Sequence, residues 1–171
     1  MILTRHHHSF FTQSTAIYSD DERYRYSLTR VWNAVDQGLM FLMLNPSTAT
    51  EAQNDPTVER CERRARALGF GRFCVANIFA WRDTNPAGMR NASDPIGVLN
   101  DQYILENIQN HDQIICAWGA HGNHLGRSDQ IIGVLQGSGK PLYHLGLTKS
   151  GQPRHPLYIR YDQQPIAWQV P

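Results

Sequence analysis

The chain has 171 residues, 41% of them hydrophobic, with a formal net charge of +1. That length suits one domain with its own core, and the near-neutral charge means that any basic surface must come from local clustering. No apolar run approaches the ~20 residues that cross a bilayer, and the start, MILTRHHHSFF, lacks the long apolar region of a signal peptide, so a cytoplasmic protein without membrane contact is expected.

Residues 1–14 carry no clear pattern and are read as a loose lead-in. His6, His7 and His8 are consecutive, and neither a strand nor a helix can aim three successive side chains at one ion, so no metal site is assigned there. Residues 15–33 read as a β-hairpin. Ser19-Asp20-Asp21 supply the turn, and YRYSLTRVW alternates with β-rich residue types. Leu39 to Leu44 is apolar at every position, which indicates a central strand covered on both faces.

Asp55-Pro56 then opens a helix: Asp55 can cap it, Pro56 fits its first position, and Val58, Cys61, Ala65 and Leu68 recur at helical spacing. A second apolar strand covers about 72–79, in RFCVANIFAW, and leads into the turn Thr84-Asn85-Pro86. Asp94-Pro95 reads as another helix entry, with Ile96, Leu99, Tyr103, Ile104 and Ile108 as its core stripe. A third strand lies in DQIICAWGAHG, a helix over about 125–136, a fourth strand in KPLYHLG, and a terminal extended piece closes the chain.

Hairpin, then strands alternating with helices, implies an α/β fold in a single domain. The expected architecture is a three-layer α/β/α sandwich on a short, mostly parallel central sheet, with an N-terminal β-hairpin. Cys61, Cys74 and Cys116 are too far apart for a zinc ribbon and read as buried thiols. Neither GxxxxGK[ST] nor GxGxxG occurs, which argues against a P-loop or a Rossmann site, and no cofactor is expected.

Ligands of such sheets bind beyond the carboxyl ends of the strands. Four polar tips should meet there: Asn45-Pro46-Ser47, then Asn77 with Trp81 and Arg82, then Trp118-Gly119 with His121, then Arg154-His155-Pro156. An asparagine offers a donor and an acceptor side by side, which suits the amide edge of a nucleobase. A histidine can donate to an oxygen that gains charge as a bond breaks. Trp81 or Trp118 could stack a planar ring, and Arg82 and Arg154 could sit near phosphate. Without a GxSxG elbow, Ser47 has little support as a nucleophile. A hydrolase built from Ser47 or Asp55 with His121 or His155 is the least favoured reading.

From about residue 17 to 160 the chain resembles the bacterial domain-of-unknown-function family 1643, through YRYSLTRVW, MLNPSTA, DPTVERC, VANIFAWR, DPIGVLND, CAWGAHG and LGLTKSGQPRHPLY. In motif order it is also similar to the uracil-DNA glycosylase superfamily. MLNPS resembles that superfamily's first motif and VANIFAWRDTNP its second-strand segment, while RHPLY resembles its last, His-Pro motif. The resemblance implies that Asn45 positions a water, Asn77 reads the base, and His155 stabilises the departing base, with Pro156 in the same loop. Met43 and Ser47 replace glycines of the first motif, and Leu157 stands where a serine usually follows His-Pro. The expected function is therefore hydrolysis of an N-glycosidic bond in a nucleic acid or nucleotide. The alternative is a module that binds such a partner without cleaving it.

Overall fold

The computed structural model describes all 171 residues. Its eight strands, in chain order, are β1 (Ile2–His8), β2 (Gln13–Ser19), β3 (Arg25–Val31), β4 (Gly38–Met43), β5 (Arg72–Asn77), β6 (Gln113–Ala117), β7 (Leu142–His144) and β8 (Ile166–Ala167). The four helices are α1 (Pro56–Ala67), α2 (Pro86–Asn91), α3 (Asn100–Asn110) and α4 (Arg127–Gln136). No helix is long and apolar enough to cross a membrane.

All strands join one sheet in the order β1-β2-β3-β5-β4-β6-β7-β8. β4 pairs in parallel with β5 and β6, and β6 with β7. The other four pairings are antiparallel, so the sheet is mixed, not mostly parallel as the element order suggested. The difference arises at the two ends. The N-terminal stretch forms a meander, with Ile2–His8 paired along β2, and β3 then docks antiparallel on β5. At the far edge the short β8 turns back along β7.

Hydrophobic alternation along β4 sorts the core into two clusters. Leu39, Phe41 and Met43 pack with Val58, Cys61 and Ala65 of α1. Met40 and Leu42 pack with Ile104 and Ile108 of α3, Ile131 and Leu135 of α4, and Met89 of α2. A strand buried on both sides must be apolar throughout, and all six residues of β4 are buried. Cys61, Cys74 and Cys116 are buried free thiols whose pKa values burial pushes well up, as inert core residues require.

Two helix starts depart from the sequence reading. Asp94 does not open α3; its carboxylate accepts from the Gly97 amide at 3.0 Å, closing a turn, and the helix begins at Asn100. Thr84-Asn85-Pro86, read as a turn alone, leads into α2, with the Asn85 side chain accepting from Ala87 and Pro86 in the first turn.

The connections place the site. β4 is followed by α1, packed in one cluster, whereas β6 is followed by α4, packed in the other. Adjacent parallel strands whose connections leave toward opposite faces open a crevice at their carboxyl ends. Register makes the three tips level, since Met43 lies opposite both Asn77 and Ala117.

Candidate functional site

A pocket of about 520 Å³ occupies that crevice, within the usual range for small-molecule sites. Of the residues singled out from sequence, Asn45, Pro46, Ser47, Asn77, Trp118, Gly119, His121 and His155 line it. Trp81 and Arg82 line a neighbouring cleft that shares Ser47, Thr48, Asp83 and Thr84 with the pocket wall. Arg154 and Pro156 line neither: Arg154 is exposed and donates to the Leu147 carbonyl, while Pro156 is buried at the start of a 3-10 turn.

Asn77 ends β5 and is 1% exposed, yet neither atom of its side-chain amide has a hydrogen-bond partner. Its main chain is held firmly, because the Asn100 amide donates to the carbonyls of Asn77 at 2.9 Å and Ile78 at 3.1 Å. A buried amide left unpaired on both sides costs on the order of 1–3 kcal/mol per group. An unpaired buried amide at a pocket wall calls for an explanation, and a ligand is one that the position allows.

Asn45 has a divided role. Its Nδ2 donates to the carbonyls of Asp83 at 2.9 Å, Pro46 at 3.2 Å and Trp81 at 3.4 Å. Three carbonyl oxygens around one end of the amide fix its orientation. The side chain thus ties the loop after β5 to the tip of β4, and its Oδ1 takes no hydrogen bond from the protein.

His155 reaches the pocket on the loop after β7. The Leu157 amide donates to its Nδ1 at 3.3 Å, which leaves the ring proton on Nε2. Burial drives its pKa down to about 4, against a smaller opposing pull from the Asp55 charge. The ring is therefore neutral at physiological pH and offers an N–H donor. Two hydrogen bonds hold this loop against the end of β6: Gly119 N–H donates to the Pro153 carbonyl at 2.7 Å, and Trp118 Nε1 to Gln152 Oε1 at 2.6 Å. Trp118 is fully buried and packs on Trp168, so it braces the loop from the core side.

Asp55 caps α1 as its sequence position implies. One carboxylate oxygen accepts from Val58 N at 2.8 Å and the other from Ala49 N at 3.1 Å. Ser47 makes no hydrogen bond to either His121 or His155, and His121 Nδ1 meets Arg90 instead.

Sequence reasoning missed Arg25, Thr57 and Tyr158, all of which line the pocket. Arg25 escaped because strict alternation puts it on the face of Ser27, which bonds Asn107 of α3. A bulge intervenes: Ile17 faces Ser27 but Tyr18 faces Arg25, leaving Tyr26 as the extra residue. Arg25 is thereby turned toward the α1 side, where its Nη1 donates to the Ala49 carbonyl at 2.7 Å. Tyr158 sits at the rim, 90% exposed; it is the last residue of RHPLY and could have been read as a stacking aromatic.

No curated protein and no solved structure matches the chain. A family model does, that described as Protein of unknown function (DUF1643), over residues 25–157. The matched span opens at Arg25 and contains every pocket-lining residue except Tyr158. The chain belongs to this family.

Proposed function

We propose that the pocket takes a nucleobase and that the protein hydrolyses the N-glycosidic bond joining it to its sugar. The observation that carries the reading is Asn77, whose buried, unpaired donor and acceptor fit the amide edge of a base. Around it, Asn45 Oδ1 is free to accept from a water, and the neutral His155 can donate from Nε2 to a base oxygen. In the reaction water adds at the anomeric carbon as the carbon–nitrogen bond breaks. The bonding pair leaves with the base, His155 stabilises the charge that develops, and the proton shed by water passes to solvent or to the freed base. The resemblance of MLNPS, VANIFAWRDTNP and RHPLY to glycosylase motifs agrees with the same roles.

The test is base release from a panel of nucleosides, nucleotides and single- and double-stranded oligonucleotides carrying ordinary and modified bases. Release from at least one substrate, lowered about 100-fold or more by Asn77→Ala or His155→Ala, is expected. Folded protein that releases no base from any member would overturn the reading.

A second reading, binding without cleavage, draws on Asp55. Each of its oxygens accepts a main-chain amide, so the carboxylate has a structural role that needs no reaction. Tight binding of a base-bearing ligand with no turnover would favour it. A hydrolase centred on Ser47 lacks a histidine hydrogen-bonded to the hydroxyl and is not supported.

A further inference from the structure

Arg25 is 2% exposed and lines the pocket, yet it forms no ion pair. Nη1 is used on the Ala49 carbonyl; Nε is buried without a partner, and Nη2 makes no hydrogen bond within the protein. Buried arginines outside the pocket vary in this respect: Arg30 Nη1 and Arg64 Nε also lack partners, whereas Arg127 is fully engaged. Its Nε bonds the Ile78 carbonyl, Nη1 meets Gln130, Nη2 pairs with Asp101, and it lies outside the pocket. The Asp55 carboxylate opposes the effect of burial on Arg25 but does not pair with it, so the guanidinium is buried without a hydrogen-bonded counter-ion, a cost that falls when an anion arrives.

The surroundings suit an oxyanion. The first turn of α1 meets the pocket at Pro56, Thr57 and Val58, and the Thr57 amide and hydroxyl have no acceptor. Ser47 and Thr48, on the loop into that helix, likewise have amides and hydroxyls that donate to nothing in the protein. Helix N-termini and loop amides of this kind complement phosphate oxygens. Two carboxylates line the same pocket. Asp55 is engaged by the amides of Val58 and Ala49, and Asp83, on the loop after β5, accepts from Asn85 N at 2.8 Å.

We infer that Arg25, with Ser47, Thr48 and the Thr57 end of α1, forms a subsite for the terminal phosphate of a mononucleotide, whose base meets Asn77. This inference rests on the proposed base-binding role of the pocket for the identity of the rest of the ligand. A guanidinium this deeply buried is reached by a terminal phosphate monoester. An internal phosphodiester would have to carry chain on both sides into the pocket. Burial brings the Arg25 pKa to about 10, so it stays charged at neutral pH and pairs with a dianion.

Calorimetric titration of the wild-type protein decides the matter with five ligands: a nucleoside, its 5′- and 3′-monophosphates, ribose 5-phosphate and an oligonucleotide with blocked ends. One monophosphate should bind about tenfold or more tightly than the nucleoside, the scale of a charge-assisted hydrogen-bond pair. Ribose 5-phosphate should bind detectably. In Arg25→Gln that advantage should vanish; Thr57→Val, which keeps the helix cap, should reduce it should the arginine variant not fold. Monophosphate and nucleoside binding within about twofold of each other would overturn the phosphate subsite while leaving the base reading intact. Binding of ribose 5-phosphate without the nucleoside would uphold the subsite and count against base recognition. An end-blocked oligonucleotide binding as tightly as the monophosphate would overturn the preference for a terminal phosphate, and binding of no ligand would overturn both.

Discussion

Asn77 poses the sharpest energetic question at the scale of single residues. Its amide is paid for by the fold and used by nothing in it. Asn77→Ala removes two unpaired buried atoms, and the vacated volume merges with the pocket. Thermal or urea unfolding should therefore show a variant as stable as wild type or up to about 1 kcal/mol more stable, although ligand binding is lost. A loss of stability above about 2 kcal/mol would mean that the side chain serves the fold. His155 gives a pH signature. Its pKa falls from the ordinary histidine value to about 4 in the folded state, so between about pH 6.5 and 4 the unfolded chain binds more protons. Its contribution to stability is complete above that window and is lost as pH falls through it. Burial also lowers His111 and His144, so the readout is the difference between proteins. Between pH 7 and pH 5, wild type should lose on the order of 1 kcal/mol more than His155→Asn. Equal losses would show that the ring is not held neutral by burial. Asn45, Asn77 and His155 could be picked out from sequence because each follows an apolar run at a strand end. Arg25 could not, because the bulge that turns it depends on pairing between β2 and β3.

At the scale of elements, the site is shaped by how two connections are anchored. The loop from β4 to α1 is fastened by Asp55, which serves the helix and the Ala49 amide together. Asp55→Ala strands both amides and should cost about 2 kcal/mol, whereas Asp55→Asn retains one good cap and should cost about half of that. Equal, negligible costs measured by denaturant unfolding would dismiss the anchoring role. The loop after β7 depends on Gly119, whose φ of 73° and ψ of −173° lie in a region that essentially only glycine occupies. Gly119→Ala should cost about 1–3 kcal/mol and weaken ligand binding by displacing the His155 loop; an unchanged melting temperature would contradict this. Strand interiors and α1 were legible from local pattern, as apolar runs and an Asp-Pro cap. The true start of α3 was not, because Asp94 and Gly97 satisfy each other in a turn that competes with helix initiation.

For the whole molecule, topology turns separate strand ends into one pocket. The parallel core β5-β4-β6-β7 follows from alternating strands and helices and was expected from the sequence. Of the antiparallel flanks the β2–β3 hairpin was expected too; the pairing of β1 and the docking of β3 on β5 were not, since nothing local says that a hairpin will dock antiparallel on β5. That docking shapes the candidate site, because it carries Arg25 to the pocket wall. The result is a site whose polar atoms are unevenly used. Asn45 Nδ2 and both oxygens of Asp55 are occupied by the fold, while Asn77 and most of the Arg25 guanidinium are not. A crystal structure of the protein with the nucleoside monophosphate that binds most tightly tests this division most directly. The base edge should meet both amide atoms of Asn77 at about 3 Å, with the phosphate on Arg25. A ligand bound elsewhere, or one seated in the pocket with the Asn77 amide still unpaired, would contradict the account.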